Sequence, residues 1–216
     1  SLLYAHVLTH ACASWGKIQT SHVDFFCAYR QQHLGLQKSS ENLNITGQTF
    51  DKIFNNLKKE NRLEEQTLNS LQYYIEEHTK HLPVVRNHWD HNPYNIFVDG
   101  IIDLEDSFEG PLGYDTVTSL TQNFWFPISD AELTQEHRFN DEQIEEFLNA
   151  TQDILHDPHV FGALFFMRAI FVTVGSDSTP LLETYRYQKL KEAINAILVN
   201  NVNPIDHFKR YYRTPA

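Results

Sequence analysis

Only two cysteines occur, Cys12 and Cys27, with no C-x-x-C pair. That excludes a disulfide framework and fits ordinary buried thiols in a reducing cytosol, so a cytoplasmic location is expected. Basic residues are scarce: 17 Lys and Arg face 28 Asp and Glu, a net charge of −11 with His neutral. Phosphate-backbone affinity rests on cations, so duplex nucleic acid is a poor partner for this chain. The twelve histidines offset part of the negative charge only at mildly acidic pH. No apolar run is long enough for a bilayer, and no membrane association is expected. The longest run, Val160 to Val174, is interrupted by Arg168 and reads as a buried helix. No secretory leader pattern is present. Glycines number eight, with neither G-x-G-x-x-G nor G-x-x-x-x-G-K-[ST] among them. A glycine-rich phosphate loop of either kind is therefore missing. The chain starts with Ser and its only methionine is Met167, which points to a part removed from the start.

What is there is mostly helical periodicity. Phe50, Ile53, Phe54 and Leu57 follow the i, i+3, i+4, i+7 stripe, with Thr49 as the expected N-cap. Leu68, Leu71 and Ile75 continue it in a second helix. Ile144, Phe147, Leu148, Thr151 and Leu155 form a third, with Asn140 and Gln143 placed as a capping box. Thr179-Pro180 opens another, continued by Tyr185, Leu190, Ile194, Ile197 and Leu198. Ser1 to Trp15 and Ser21 to Leu34 also read as helical, and Lys38 to Gly47 as a loop. Phe161, Phe165, Phe166 and Phe171 read as core. The acidic stretch Asp130, Glu132, Glu136, Asp141, Glu142, Glu145 and Glu146 reads first as a solvated helix face. A pocket steering a cationic substrate is its alternative.

Residues 82–106 break the helical pattern. Asp99-Gly100 stands between Ile96-Phe97-Val98 and Ile101-Ile102, which predicts a tight β-hairpin with a type I′ turn. A polar loop, Asn87 to Asn95, precedes it. Asn95 opens the first strand, Asp103 closes the second, and Asp90 lies on the entering loop, so one carboxamide and two carboxylates converge. These are hard oxygen ligands suited to Mg²⁺. Phosphoryl transfer needs such a set, one carboxylate to receive the hydroxyl proton and further oxygens to hold the metal on the nucleotide phosphates.

The stretch Asn87 to Leu120, NHWDHNPYNIFVDGIIDLEDSFEGPLGYDTVTSL, resembles the catalytic-loop signature HGDLHPGNIL…IIDWEDAGIGDPAYDLA of the aminoglycoside phosphotransferase and choline kinase-like family. The resemblance implies a protein-kinase-like fold, with Asp90 as catalytic base and Asn95 and Asp103 as Mg²⁺ ligands. It makes His88 a structural hydrogen-bonder and Asp115 an anchor that accepts N–H bonds from the catalytic loop. Glu105 is a secondary candidate for reaching the metal or the substrate. Trp89 departs from the pattern, standing where the family has glycine, and Pro111 stands where the family often has Asp.

The expected architecture is mainly α with a small hairpin: a single helical lobe over residues 1–216. It corresponds to the C-terminal lobe of a kinase-like α+β fold whose β-rich N-terminal lobe is missing, so the chain alone should be a poor catalyst. The expected activity is ATP- and Mg²⁺-dependent phosphate transfer to a hydroxyl of a small molecule, such as an aminoglycoside, an amino alcohol like choline, homoserine or a sugar. The alternatives are a degenerate binding module without turnover and a metal-dependent hydrolase built on His88, Asp90, His91 and Asp103. A His81, His88, His91 metal cluster is a further reading.

Overall fold

A computed structural model describes residues 48–91, 96–97, 100–101, 107–121, 141–174 and 179–213. Its elements run in the order α1 (Gln48–Lys59), α2 (Glu65–Thr79), β1 (Val84–Asn87), β2 (Ile96–Phe97), β3 (Gly100–Ile101), β4 (Phe108–Pro111) and α3 (Tyr114–Thr121). Then follow α4 (Asp141–Ala150), α5 (Gln152–Leu155), α6 (Pro158–Val174), α7 (Pro180–Ile194), a π-helical turn (Asn195–Val199) and α8 (Pro204–Arg213). The described residues are mainly helical, as the periodicity predicts. The segments before residue 48, both cysteines and Asn140 lie outside the described residues.

The fold is organised around α6. Its side chains are apolar on every face, and a helix of that kind must be enclosed by its neighbours. It packs against α1, α2, α3, α7 and α8, and every residue from Val160 to Thr173 is buried. Phe161, Phe165, Phe166 and Phe171 are core residues, each at most 1% exposed. The predicted stripes deliver their residues as expected: Ile53, Phe54 and Leu57 on α1, and Leu68, Leu71 and Ile75 on α2. No helix among the described residues is long and apolar enough to cross a membrane.

Arg186 of α7 is fully buried and donates to the Val172 carbonyl at 2.7 Å. A cation thereby meets the negative end of α6. α7 starts at Thr179-Pro180 as predicted, and the Thr179 hydroxyl oxygen caps it by accepting the Leu182 N–H at 3.3 Å.

Three local expectations are corrected. Thr49 lies inside α1, which already includes Gln48, so it is not the N-cap. The third predicted helix is two, α4 and α5, separated at Thr151. There φ is −113° and ψ 9°, and the Thr151 hydroxyl donates back to the Phe147 carbonyl at 2.8 Å. A hydroxyl that bonds the preceding turn competes with helix continuation. In the hairpin, Phe97 pairs with Gly100 and Ile96 with Ile101. Gly100 therefore belongs to the second strand and stands one place beyond the turn position that Asp99-Gly100 predicts.

A second antiparallel pair was not legible. β1 joins β4 with Val84 opposite Pro111 and Asn87 opposite Phe108. β4 carries a glycine and a proline in four residues, which hides it as a strand.

Candidate phosphotransfer site

β1 delivers residues 88–91 to the inside of the molecule, and β4, its partner, delivers α3. Between β4 and α3 the chain reverses at Gly113, where φ is +101°. A Cβ there would come within 2.7 Å of the Ile154 side chain, so space and backbone both require glycine. The turn sets Asp115 in the first turn of α3, facing the loop.

Asp115 is 1% exposed and accepts two backbone donors, the His88 N–H at 2.8 Å and the Trp89 N–H at 3.3 Å. Such hydrogen bonds are what allow a carboxylate to be buried. One helical turn on, Ser119 donates to the His91 carbonyl at 2.9 Å and is 2.5 Å from His91 Nδ1. The i, i+4 pair Asp115 and Ser119 thus clamps the chain on both sides of Asp90. His88 and His91 are both buried, with ring centroids 5.8 Å apart.

Trp89 takes a left-handed conformation, φ +82°. Glycine, which the resembling pattern carries at this position, adopts such a φ at little cost. For a bulky residue the conformation costs about 1–3 kcal/mol. Packing offsets that cost. The indole lies against Phe171, with centroids 3.9 Å apart, and against Phe108 at 5.3 Å. Both rings also contact Tyr114.

Asp90 is partly exposed and is met by Arg168 of α6. The guanidinium donates through Nη2 to Asp90 Oδ1 at 3.2 Å and through Nη1 to the Trp89 carbonyl at 3.0 Å. The Arg168 side chain is 2% exposed and that of Asp90 24%. Burial weighs against the charge on Arg168, while Tyr114 and Asp90 hold its pKa above the ordinary value. Burial pushes the Tyr114 phenol well above its usual range, so it is a neutral hydroxyl at pH 7.

Asn95, Asp103 and Glu105 lie outside the described residues. The chain enters β2 one residue after Asn95 and leaves β3 two residues before Asp103. Among the described residues no three His, Cys, Asp or Glu side chains gather in a way that could hold a metal. His81 is exposed while His88 and His91 are buried, so the His81, His88, His91 cluster does not form. Glu142, Glu145 and Glu146 are exposed on α4, and Glu145 pairs with Lys209 of α8. That part of the acidic stretch is a solvated face.

The family model for the phosphotransferase enzyme family matches residues 28–152, more than half of the chain. This chain belongs to that phosphotransferase family. The match spans the β1 loop, the hairpin and α3, and ends before α6. No curated protein and no solved structure gives a significant match.

Sequence reasoning missed Arg168 and Ser119 as parts of the site. The signal for Arg168 was present: a lone charge in an otherwise apolar helix is almost never buried unless paired.

Proposed function

We propose that this protein is a kinase of small molecules, transferring the γ-phosphate of ATP to an alcohol hydroxyl, with Asp90 as the catalytic base. The observation that carries the reading is the treatment of Asp90. Its flanking backbone is fixed by Asp115 and Ser119, and its carboxylate is held by a buried guanidinium. A carboxylate presented this way can orient an attacking hydroxyl and take its proton. The acceptor oxygen then bonds to the γ-phosphorus, the bond from that phosphorus to the β–γ bridging oxygen breaks, and ADP leaves with the electron pair. Membership of the phosphotransferase family supports the reaction type.

Asn95 and Asp103 are the residues that would hold Mg²⁺, and their carboxamide and carboxylate oxygens suit that hard cation. Bound there, the metal would neutralise charge on the nucleotide phosphates. The acceptor belongs to the class of small hydroxyl compounds, among them aminoglycosides, choline-like amino alcohols, homoserine and sugars. The working location is the cytoplasm, where ATP is abundant.

The test is ADP release by the full-length protein with MgATP and a panel of these acceptors, in wild type and Asp90→Asn. Loss of the base should lower kcat by about 10²–10⁴-fold. Turnover that is unchanged in Asp90→Asn rejects the assignment.

A further inference from the structure

Arg168 stands out because α6 has no other charged side chain, and because it lies beyond the residues matched by the family model. An arginine nine-tenths or more buried in an apolar helix needs a specific partner, since desolvating a guanidinium is costly. Here one fork serves two successive residues. Nη1 holds the carbonyl of Trp89, the residue forced into the left-handed region, and Nη2 holds the carboxylate of Asp90.

We infer that Arg168 is a positioning residue of the phosphotransfer site: one planar guanidinium locks the Trp89 peptide and the Asp90 carboxylate into a single arrangement. The inference rests on Asp90 being the base. The planar fork is what does it, because two N–H groups of fixed separation hold the Trp89 carbonyl and the Asp90 carboxylate at one matching separation. A lysine ammonium keeps the charge and loses that geometry. Asp115 and Ser119 fix the loop backbone from α3, and Arg168 fixes the Asp90 side chain from α6, so the carboxylate is anchored from two helices.

The experiment is a double-mutant cycle in the full-length protein, with Arg168→Lys, Asp90→Asn and the double variant, read by steady-state MgATP turnover and by urea unfolding. With Asp90 present, Arg168→Lys should lower kcat by about 10²-fold, the scale of a misplaced catalytic group. KM for MgATP should hold, because the Asp90 carboxylate that Arg168 positions acts on the acceptor hydroxyl and not on the nucleotide. In the Asp90→Asn background, Arg168→Lys should cause no further loss of kcat. Equal loss in both backgrounds would reduce Arg168 to a structural residue and overturn the inference, as would wild-type kcat in Arg168→Lys. If Asp90→Asn keeps full turnover, the reading of Asp90 as base fails, and the urea midpoints decide the pair by themselves. Non-additive shifts uphold the anchoring and additive ones overturn it. If Arg168→Lys does not fold, Arg168→Gln, which keeps a donor for the Trp89 carbonyl, takes its place in the same cycle.

Discussion

Asp115 reaches across 27 positions of chain to accept the His88 backbone N–H at 2.8 Å. It also takes the next N–H, that of Trp89, with its other oxygen. Asparagine at this position offers one oxygen and turns an NH₂ group toward the second donor. Asp115→Asn should therefore cost about 3 kcal/mol, the scale of a charged hydrogen bond lost with a buried donor left over. Urea unfolding measures it, and a loss below about 0.5 kcal/mol, as at an ordinary surface site, would contradict the clamp.

Trp89 offers a test of backbone strain. Replacing it removes ring contacts with Phe171 and Phe108, so every substitution should destabilise. The order of two of them is informative. Trp89→Gly loses the packing and relieves the left-handed backbone, whereas Trp89→Ala loses the packing and keeps the strain. Glycine should be more stable than alanine by about 1 kcal/mol, the reverse of the usual helix or strand order. Thermal unfolding of the two variants decides it, and alanine above glycine would refute the strain.

Gly113 sets the angle at which α3 leaves β4. Alanine there meets Ile154 Cγ2 at 2.7 Å and Leu164 Cδ1 at 3.0 Å, at φ +101°. Overpacking and strain together should cost about 3 kcal/mol in Gly113→Ala. Because Asp115 follows two residues later, amide exchange at His88 and Trp89 should speed up in the same variant. Normal exchange at these amides would show that the turn does not set the clamp.

His78 supplies a pH dependence away from the site. Its ring stacks on that of His159, with centroids 5.0 Å apart. Burial lowers its pKa first, His159 lowers it further, and Asp157 and Glu77 oppose. The folded state therefore binds fewer protons here than the unfolded chain as pH falls through about 6.5. This residue's contribution to stability is thus favourable above that pH and is lost below it. Melting temperature should drop between pH 7.5 and pH 5.5 by more in wild type than in His78→Gln. Parallel profiles would remove His78 as a cause.

How far the sequence could be read depended on how local the cause was. The stripe of Ile53, Phe54 and Leu57 on α1 and the Thr179-Pro180 start of α7 were legible because helical period and the fixed φ of proline act within a turn or two. Thr49 misled for the same reason: a good capping residue says that a helix can start there and cannot say that the chain does so. β4 was invisible, since Phe108–Pro111 becomes a strand only by pairing with Val84–Asn87.

At the site, sequence alone determined the chemistry on offer: a loop rich in polar side chains, Asp90 within it, and the spacing to Asp115 that resembles a phosphotransferase signature. Residue types and short spacings are carried by the chain itself. Tertiary structure decided what holds that chemistry in place. Arg168 lies 78 positions from Asp90 and meets it only because α6 is enclosed on all sides and passes beneath the loop. Trp89 bears a left-handed backbone only because Phe171 and Phe108 receive its ring. Both depend on which surfaces bury one another, a long-range outcome of packing that local propensity does not contain.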